Sequence, residues 1–122
     1  MTDRELYERA KAAAERAYAP YSNFLVGAAL LGRGGRVWEG VNVENASYSL
    51  GVCAERAAIA RAVSEAGRRP GDFEAIAITA SPCGGCRQWL VEFGLDRVVY
   101  ADNHGRIVTH TPDDLLPDTF VL

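Results

Sequence analysis

The chain has 122 residues, 48% of them apolar, and its 13 basic and 16 acidic side chains leave a formal charge of −3. This length fits one domain over residues 1–122, with enough apolar content for a core that needs no disulfide staples. With no arginine- or lysine-rich run, no membrane-length apolar stretch, no N-terminal signal segment and an odd count of three cysteines, nucleic acid, a membrane and a secreted disulfide framework are all poor fits, and a cytoplasmic, reducing location is expected.

Thr2-Asp3-Arg4-Glu5 has the form of a capping box. Leu6, Ala10, Ala13, Ala14 and Ala17 follow at helical spacing, which predicts a first helix to about Tyr18, broken by Pro20. Phe24 to Leu31 and Arg36 to Val43 are predicted strands, joined as a hairpin through Gly32-Arg33-Gly34-Gly35. Cys53 to Ala66 has helical periodicity and is ended by Gly67 and Pro70-Gly71. A buried-type strand follows from Phe73 to Ala80, then a helix from Cys83 to Phe93 stopped by Gly94. Strands are expected over Arg97 to Ala101 and Arg106 to Thr111, with a turn at Asp102-Asn103-His104-Gly105 between them. Thr111-Pro112-Asp113-Asp114 opens a short last helix. This order suggests one mixed sheet covered by helices.

The chemistry concentrates in Cys53-Ala54-Glu55 and Pro82-Cys83-Gly84-Gly85-Cys86. Three thiolates leave a tetrahedral zinc one open position, the mark of a catalytic and not a structural site. Glu55, free of ligand duty, is then the proton shuttle for a water at that position, the pattern known from zinc-dependent deaminases. Residues two apart on an ideal helix point about 200° away from each other, so Cys53 and Glu55 share a site only at a helix N-terminus. There the helix dipole favours a thiolate. Three thiolates and a zinc carry one net negative charge, which Arg56 offsets if it donates to sulfur, while Gln88 is placed to orient a ligand. Two other readings of the cysteines leave something unexplained. A redox Cys-x-x-Cys gives Cys53 and Glu55 no task, and a closed structural zinc needs His104 or His110 as its fourth ligand, neither of which has a companion at finger-like spacing.

These residues, together with Tyr18-Ala19-Pro20-Tyr21-Ser22-Asn23-Phe24, Val26-Gly27-Ala28-Ala29 and Asn42-Val43-Glu44-Asn45-Ala46-Ser47-Tyr48, resemble the small, three-cysteine cytidine deaminases. An echo follows in Leu115-Leu116-Pro117 and Phe120, so the match spans nearly the whole chain. The family has Pro and Thr commonly where this chain has Leu25 and Ala57, and its connection between Ala80 and Cys83 is usually several residues longer. The resemblance implies an α/β/α sandwich with a five-stranded mixed sheet, one zinc per subunit, and a homotetramer with shared active sites. It implies that Asn42 and Glu44 bind the ribose hydroxyls and that Phe24 packs against base or sugar. It further implies that the Ala54 N–H binds the base carbonyl, that the Ser81 carbonyl accepts from the leaving amine, and that Tyr48 and Phe120 complete a neighbour's pocket.

The expected function is hydrolytic deamination of cytidine and deoxycytidine to the uracil nucleosides and ammonia, in pyrimidine salvage. A chain without a phosphate-cradling glycine loop suits free nucleosides. The rivals are a deaminase of another aminopyrimidine nucleoside such as blasticidin S, a zinc-binding interaction module in which Glu55 is dispensable, and an editing deaminase, which needs a basic groove and stacking aromatics.

Overall fold

The structure is a computed structural model and describes residues 1–120 and 122. Helix α1 spans Asp3–Ala14 and begins as its sequence dictates: Thr2 Oγ1 accepts from the Glu5 N–H at 3.1 Å and the Glu5 carboxylate accepts from the Thr2 N–H at 2.8 Å. It ends earlier than its periodicity predicts. The Tyr18 N–H bonds the Asn42 carbonyl and the Glu44 N–H bonds the Tyr18 carbonyl, so tertiary bridging takes the backbone that a longer helix would use.

Five strands follow, β1 Gly27–Gly32, β2 Val37–Val41, β3 Phe73–Ile78, β4 Arg97–Ala101 and β5 Ile107–His110, in spatial order β2-β1-β3-β4-β5. All pairs are antiparallel except β3 with β4. Among the described residues the other elements are helices α2 Ala54–Ala66, α3 Gly84–Phe93 and α4 Pro112–Leu115 and a 3-10 turn, Tyr48–Leu50. β1 starts three residues later than the predicted Phe24. Asn42 takes over there, because its Oδ1 accepts from the Val26 N–H and its Nδ2 donates to the Phe24 carbonyl, so one side chain bonds backbone where a strand ladder was expected.

Period-two alternation sorts the sheet into two faces. Leu6 and Ala10 of α1 pack on Ala29, Leu31, Ala75, Ala77 and Val99. Ala58, Ile59 and Ala62 of α2 and Leu90 of α3 pack on Leu30, Trp38, Ile76, Ile78 and Val98 on the other face. The result is an α/β/α sandwich around a five-stranded mixed sheet. No helix among the described residues is long and apolar enough to cross a membrane.

Two glycines let the helices sit this close. A Cβ on Gly27 would meet the Ala10 carbonyl and, at 2.6 Å, the Ala14 nitrogen of α1; one on Gly40 would meet the Ala54 carbonyl and, at 2.5 Å, the Ala58 nitrogen of α2. Gly40 therefore decides where the first turn of α2 rests. Gly40→Ala is expected to lower stability by about 1–3 kcal/mol, the usual cost of overpacking. Gly84→Ala, whose Cβ meets nothing within 4 Å, is expected to be neutral or stabilising by up to about 1 kcal/mol. Thermal melts of the two variants check this, and equal melting temperatures would contradict the close-packing argument.

Candidate active site

The site is assembled from two helix starts. Cys53 is the N-cap of α2, with extended φ −78° and ψ 153°, so it precedes the helix and shares a cavity with Glu55. The separation by about 200° holds only between residues inside a helix, and one capping position removes it. Cys83 is likewise the N-cap of α3, its sulfur accepting from the Cys86 N–H at 3.5 Å. The sulfurs of Cys53, Cys83 and Cys86 all lie within 4.8 Å of one another, and those of Cys53 and Cys83 are 3.9 Å apart. Tetrahedral zinc with bonds of about 2.3 Å to sulfur separates its ligands by about 3.8 Å, so the donor set fits that ion. Among the described residues no fourth ligand joins the cluster. His104 is exposed in a turn, and His110 packs on the Tyr100 ring at 5.9 Å.

The cluster is built to carry negative charge. A hydrogen bond from the Cys86 thiol holds the Cys53 thiol down to about 5 against the opposing effect of burial, and Arg56 Nη2, 3.3 Å from the Cys53 sulfur, adds to it. Cys86 moves the other way, raised by that same hydrogen bond and by burial. The Arg56 guanidinium is correspondingly held above its usual range, first by the Cys53 contact. Glu55 is 3% exposed, and burial pushes its carboxyl above the usual carboxylate range, with the Cys53 charge acting in the same direction. A carboxyl so placed holds a proton more readily than an exposed one, the direction that suits a group handing protons on.

The cavity in which Cys53, Cys83 and Glu55 stand has a volume of about 500 Å³ and is also lined by Phe24, Asn42, Glu44, Tyr48, Ala54 and Ser81. Asn42 and Glu44 follow the end of β2, on backbone stitched to Tyr18 on one side and to Val52 on the other. The Glu44 carboxylate accepts from the N–H groups of Tyr21 and Ser22 at 2.9 and 3.1 Å and from the Ser22 hydroxyl. The Ser22 hydroxyl is the first cause of its lowered pKa, so Glu44 stays an ionised acceptor. A carboxylate offers about four acceptor sites and an amide two donors and two acceptors. After their backbone work, Glu44 and Asn42 each keep capacity for a ligand hydroxyl.

Several positions differ from what their local sequence suggests. Phe24, by default a core residue at a strand start, is 61% exposed because β1 begins beyond it. Tyr48 is 85% exposed at the cavity. Phe120 is 76% exposed and is not among the residues lining the cavity. Gln88 is exposed and lines a separate groove with Ala60, Val63 and Trp89, because two helical steps beyond Cys86 carry it to another side of α3. Ser22 and Arg87 escaped the sequence reading. Ser22 meets Glu44 across 22 positions, a separation that no local pattern encodes. Arg87, the residue beside Gln88, bonds the segment that leads into Cys83, and only its nearness to the cysteine pair could have flagged it.

Comparison with known proteins agrees with this geometry. The family described as the cytidine and deoxycytidylate deaminase zinc-binding region matches residues 1–102. A cytidine deaminase of Halalkalibacterium halodurans is 49% identical, over 98% of this chain and 95% of its own length. One from Sporosarcina psychrophila is 43% identical, over 98% and 92%. The crystal structure of cytidine deaminase from Burkholderia pseudomallei superposes with a TM-score of 0.91 at 50% identity, covering 98% of this chain and all of that one. With the three-thiol cluster, the buried glutamate and the sandwich that holds them, the chain belongs to the cytidine deaminase family.

Proposed function

We propose that the protein, acting as one domain over residues 1–122, hydrolyses cytidine and deoxycytidine to the corresponding uracil nucleosides and ammonia, as a pyrimidine salvage enzyme of a reducing, cytoplasmic compartment. The observation that carries the reading is that buried Glu55 and two members of the thiol cluster, Cys53 and Cys83, line one cavity with Asn42 and Glu44. Held by Cys53, Cys83 and Cys86, zinc supplies the Lewis acidity that makes water nucleophilic at neutral pH. Glu55 takes one proton from the attacking water and passes it to ring nitrogen 3; it then takes the remaining proton of the new carbon-4 hydroxyl and delivers it to the amino group, which departs as ammonia as the carbon–nitrogen bond breaks and the carbonyl forms. Ala54 is the first residue of α2, so its N–H has no partner within the helix and is free for the base carbonyl. The Ser81 carbonyl accepts from the amine as it leaves. Asn42 and Glu44 take the ribose hydroxyls, and Phe24 covers the base or sugar.

Incubating zinc-loaded protein with cytidine, deoxycytidine, cytosine, CMP, blasticidin S and adenosine should release ammonia from the first two. Glu55→Gln should retain zinc and lose at least about a hundredfold in kcat, the contribution of a positioned acid–base group. Near-normal turnover in that variant would reject the proton-shuttle role, and loss of zinc would make Glu55 a ligand.

After the Cys86 interaction, Arg56 adds to what holds the Cys53 sulfur anionic, so removing its positive charge leaves the site more negative and makes ionisation within it harder. The sign follows: in Arg56→Ala the rising limb of activity against pH should move to higher pH, with turnover affected more than zinc content. A superimposable profile would make Arg56 a bystander.

The active form in this reading is a homotetramer in which Tyr48 and Phe120 complete a neighbour's pocket. The exposure of both aromatics, Tyr48 at the cavity and Phe120 away from it, supports it, since rings of that size gain most when buried over a ligand. Phe120→Ala should raise KM for cytidine and leave zinc content unchanged. Mixing Phe120→Ala with Glu55→Gln subunits should restore activity, because hybrids contain sites with Glu55 from one subunit and Phe120 from the other. A fully active monomer by light scattering, or no restoration, would reject shared sites.

A further inference from the structure

Arg87, in the first turns of α3, holds three points with one guanidinium. Its Nε donates to the Pro82 carbonyl at 2.9 Å, its Nη2 to the Ser81 hydroxyl at 3.2 Å, and its Nη1 to the Leu115 carbonyl at 2.9 Å. Ser81 and Pro82 are the last two residues of the connection from β3 to the α3 cap, Cys83. Pro82 has no N–H with which to fix itself, so the set of that connection depends on a donor from outside. Leu115 is the last residue of α4, and its carbonyl lacks a partner within so short a helix. The rigid fork of an arginine satisfies all three acceptors at once, whereas a lysine is a point charge on a flexible stem.

Ser81 and Cys83 both line the cavity. We infer that Arg87 is a positioning residue of the reaction: by clamping the Ser81–Pro82 segment to the end of α4, it sets where the Ser81 carbonyl and the Cys83 sulfur stand. The inference rests on the proposed roles of Ser81 as acceptor for the departing amine and Cys83 as a zinc ligand. It also links the C-terminal segment that carries Phe120 to the loop that leads into Cys83. A plain staple for α4 would serve only stability.

The test compares zinc-loaded parent, Arg87→Met and Arg87→Lys well below their melting temperatures. Arg87→Met should release zinc to a chromophoric chelator about tenfold faster, as outer partners of metal sites commonly do when lost. Its kcat for cytidine should fall on the order of tenfold to a hundredfold, the effect of misplacing groups by a fraction of an ångström to an ångström. The inhibition constant of uridine, which has no amine for Ser81 to accept from, should stay at the parent value. Arg87→Lys, able to reach one acceptor at a time, should fall between the two, and it carries the test alone if the methionine variant does not fold. Parent-like zinc release and kcat together with a lowered melting temperature would reduce Arg87 to a staple and overturn the inference. So would a uridine constant that worsens in step with kcat, which signals general distortion of the cavity. A parent protein that holds no zinc or releases no ammonia from cytidine would instead overturn the functional reading on which the inference stands.

Discussion

Three sulfurs brought within 4.8 Å of one another are an electrostatic problem that the fold has to solve before any chemistry is possible. Two like charges about 4 Å apart repel by about 4 kcal/mol at an effective dielectric near 20. Helix N-termini are where a protein stabilises such charge at least cost, since unpaired N–H groups and the dipole act together. Both N-caps at the cluster are cysteines, Cys53 on α2 and Cys83 on α3, and Arg56 adds a full positive charge to the first. The positions of the two helix starts follow from the sheet. α3 leaves the end of β3 through four residues and Cys83, and α2 lies against β2 at Gly40, where a side chain of any size would push it away.

Burial divides the labour among the charged groups. Glu55 sits nine-tenths or more out of water and its carboxyl is pushed toward the neutral form, first by desolvation. Glu44, facing the same cavity, is held ionised by the Ser22 hydroxyl and two backbone N–H groups. Two glutamates of equal intrinsic acidity are thus shifted in opposite directions by their surroundings alone, which is what the proposed roles of proton carrier and fixed acceptor require. Backbone hydrogen bonds among Tyr18, Asn42, Glu44, Val43 and Val52 tie down the side of the cavity that carries Asn42 and Glu44, an arrangement that suits recognition of hydroxyl groups by direction.

The same arrangement leaves large aromatics exposed around the cavity, with Tyr18, Tyr21 and Phe24 each more than half accessible and Tyr48 more so. Apolar surface gathered in one place on a small protein commonly marks an interaction face. Phe24 and Tyr48 line the cavity, so part of this apolar surface borders the site. Arg87 adds a route by which the end of the chain bears on the loop preceding Cys83, and the site is accordingly a property of segments far apart in sequence.

What the sequence by itself determined is whatever short-range rules encode. The Thr2 and Thr111 capping boxes, the starts of α2 and α3 at their cysteines, the hairpin, and the alternation that divides the sheet into two faces all depend on residues within a few positions of one another. Cys53 with Glu55, and Cys83 with Cys86, were legible for the same reason, because their spacing is itself the chemistry. The roles of Asn42, Glu44, Tyr48 and Phe120 came from resemblance and not from pattern. Only the tertiary structure decided that α1 stops at Ala14, that Phe24 lies outside the core, that Gln88 turns from the cysteines, and that Ser22 and Arg87 brace Glu44 and the Pro82 segment. Each of those outcomes is a competition between a local preference and hydrogen bonds or packing that span about twenty positions or more, or depend on which side of a helix a neighbour occupies. A linear pattern states the preference but not the competitor, which exists only after the chain has folded.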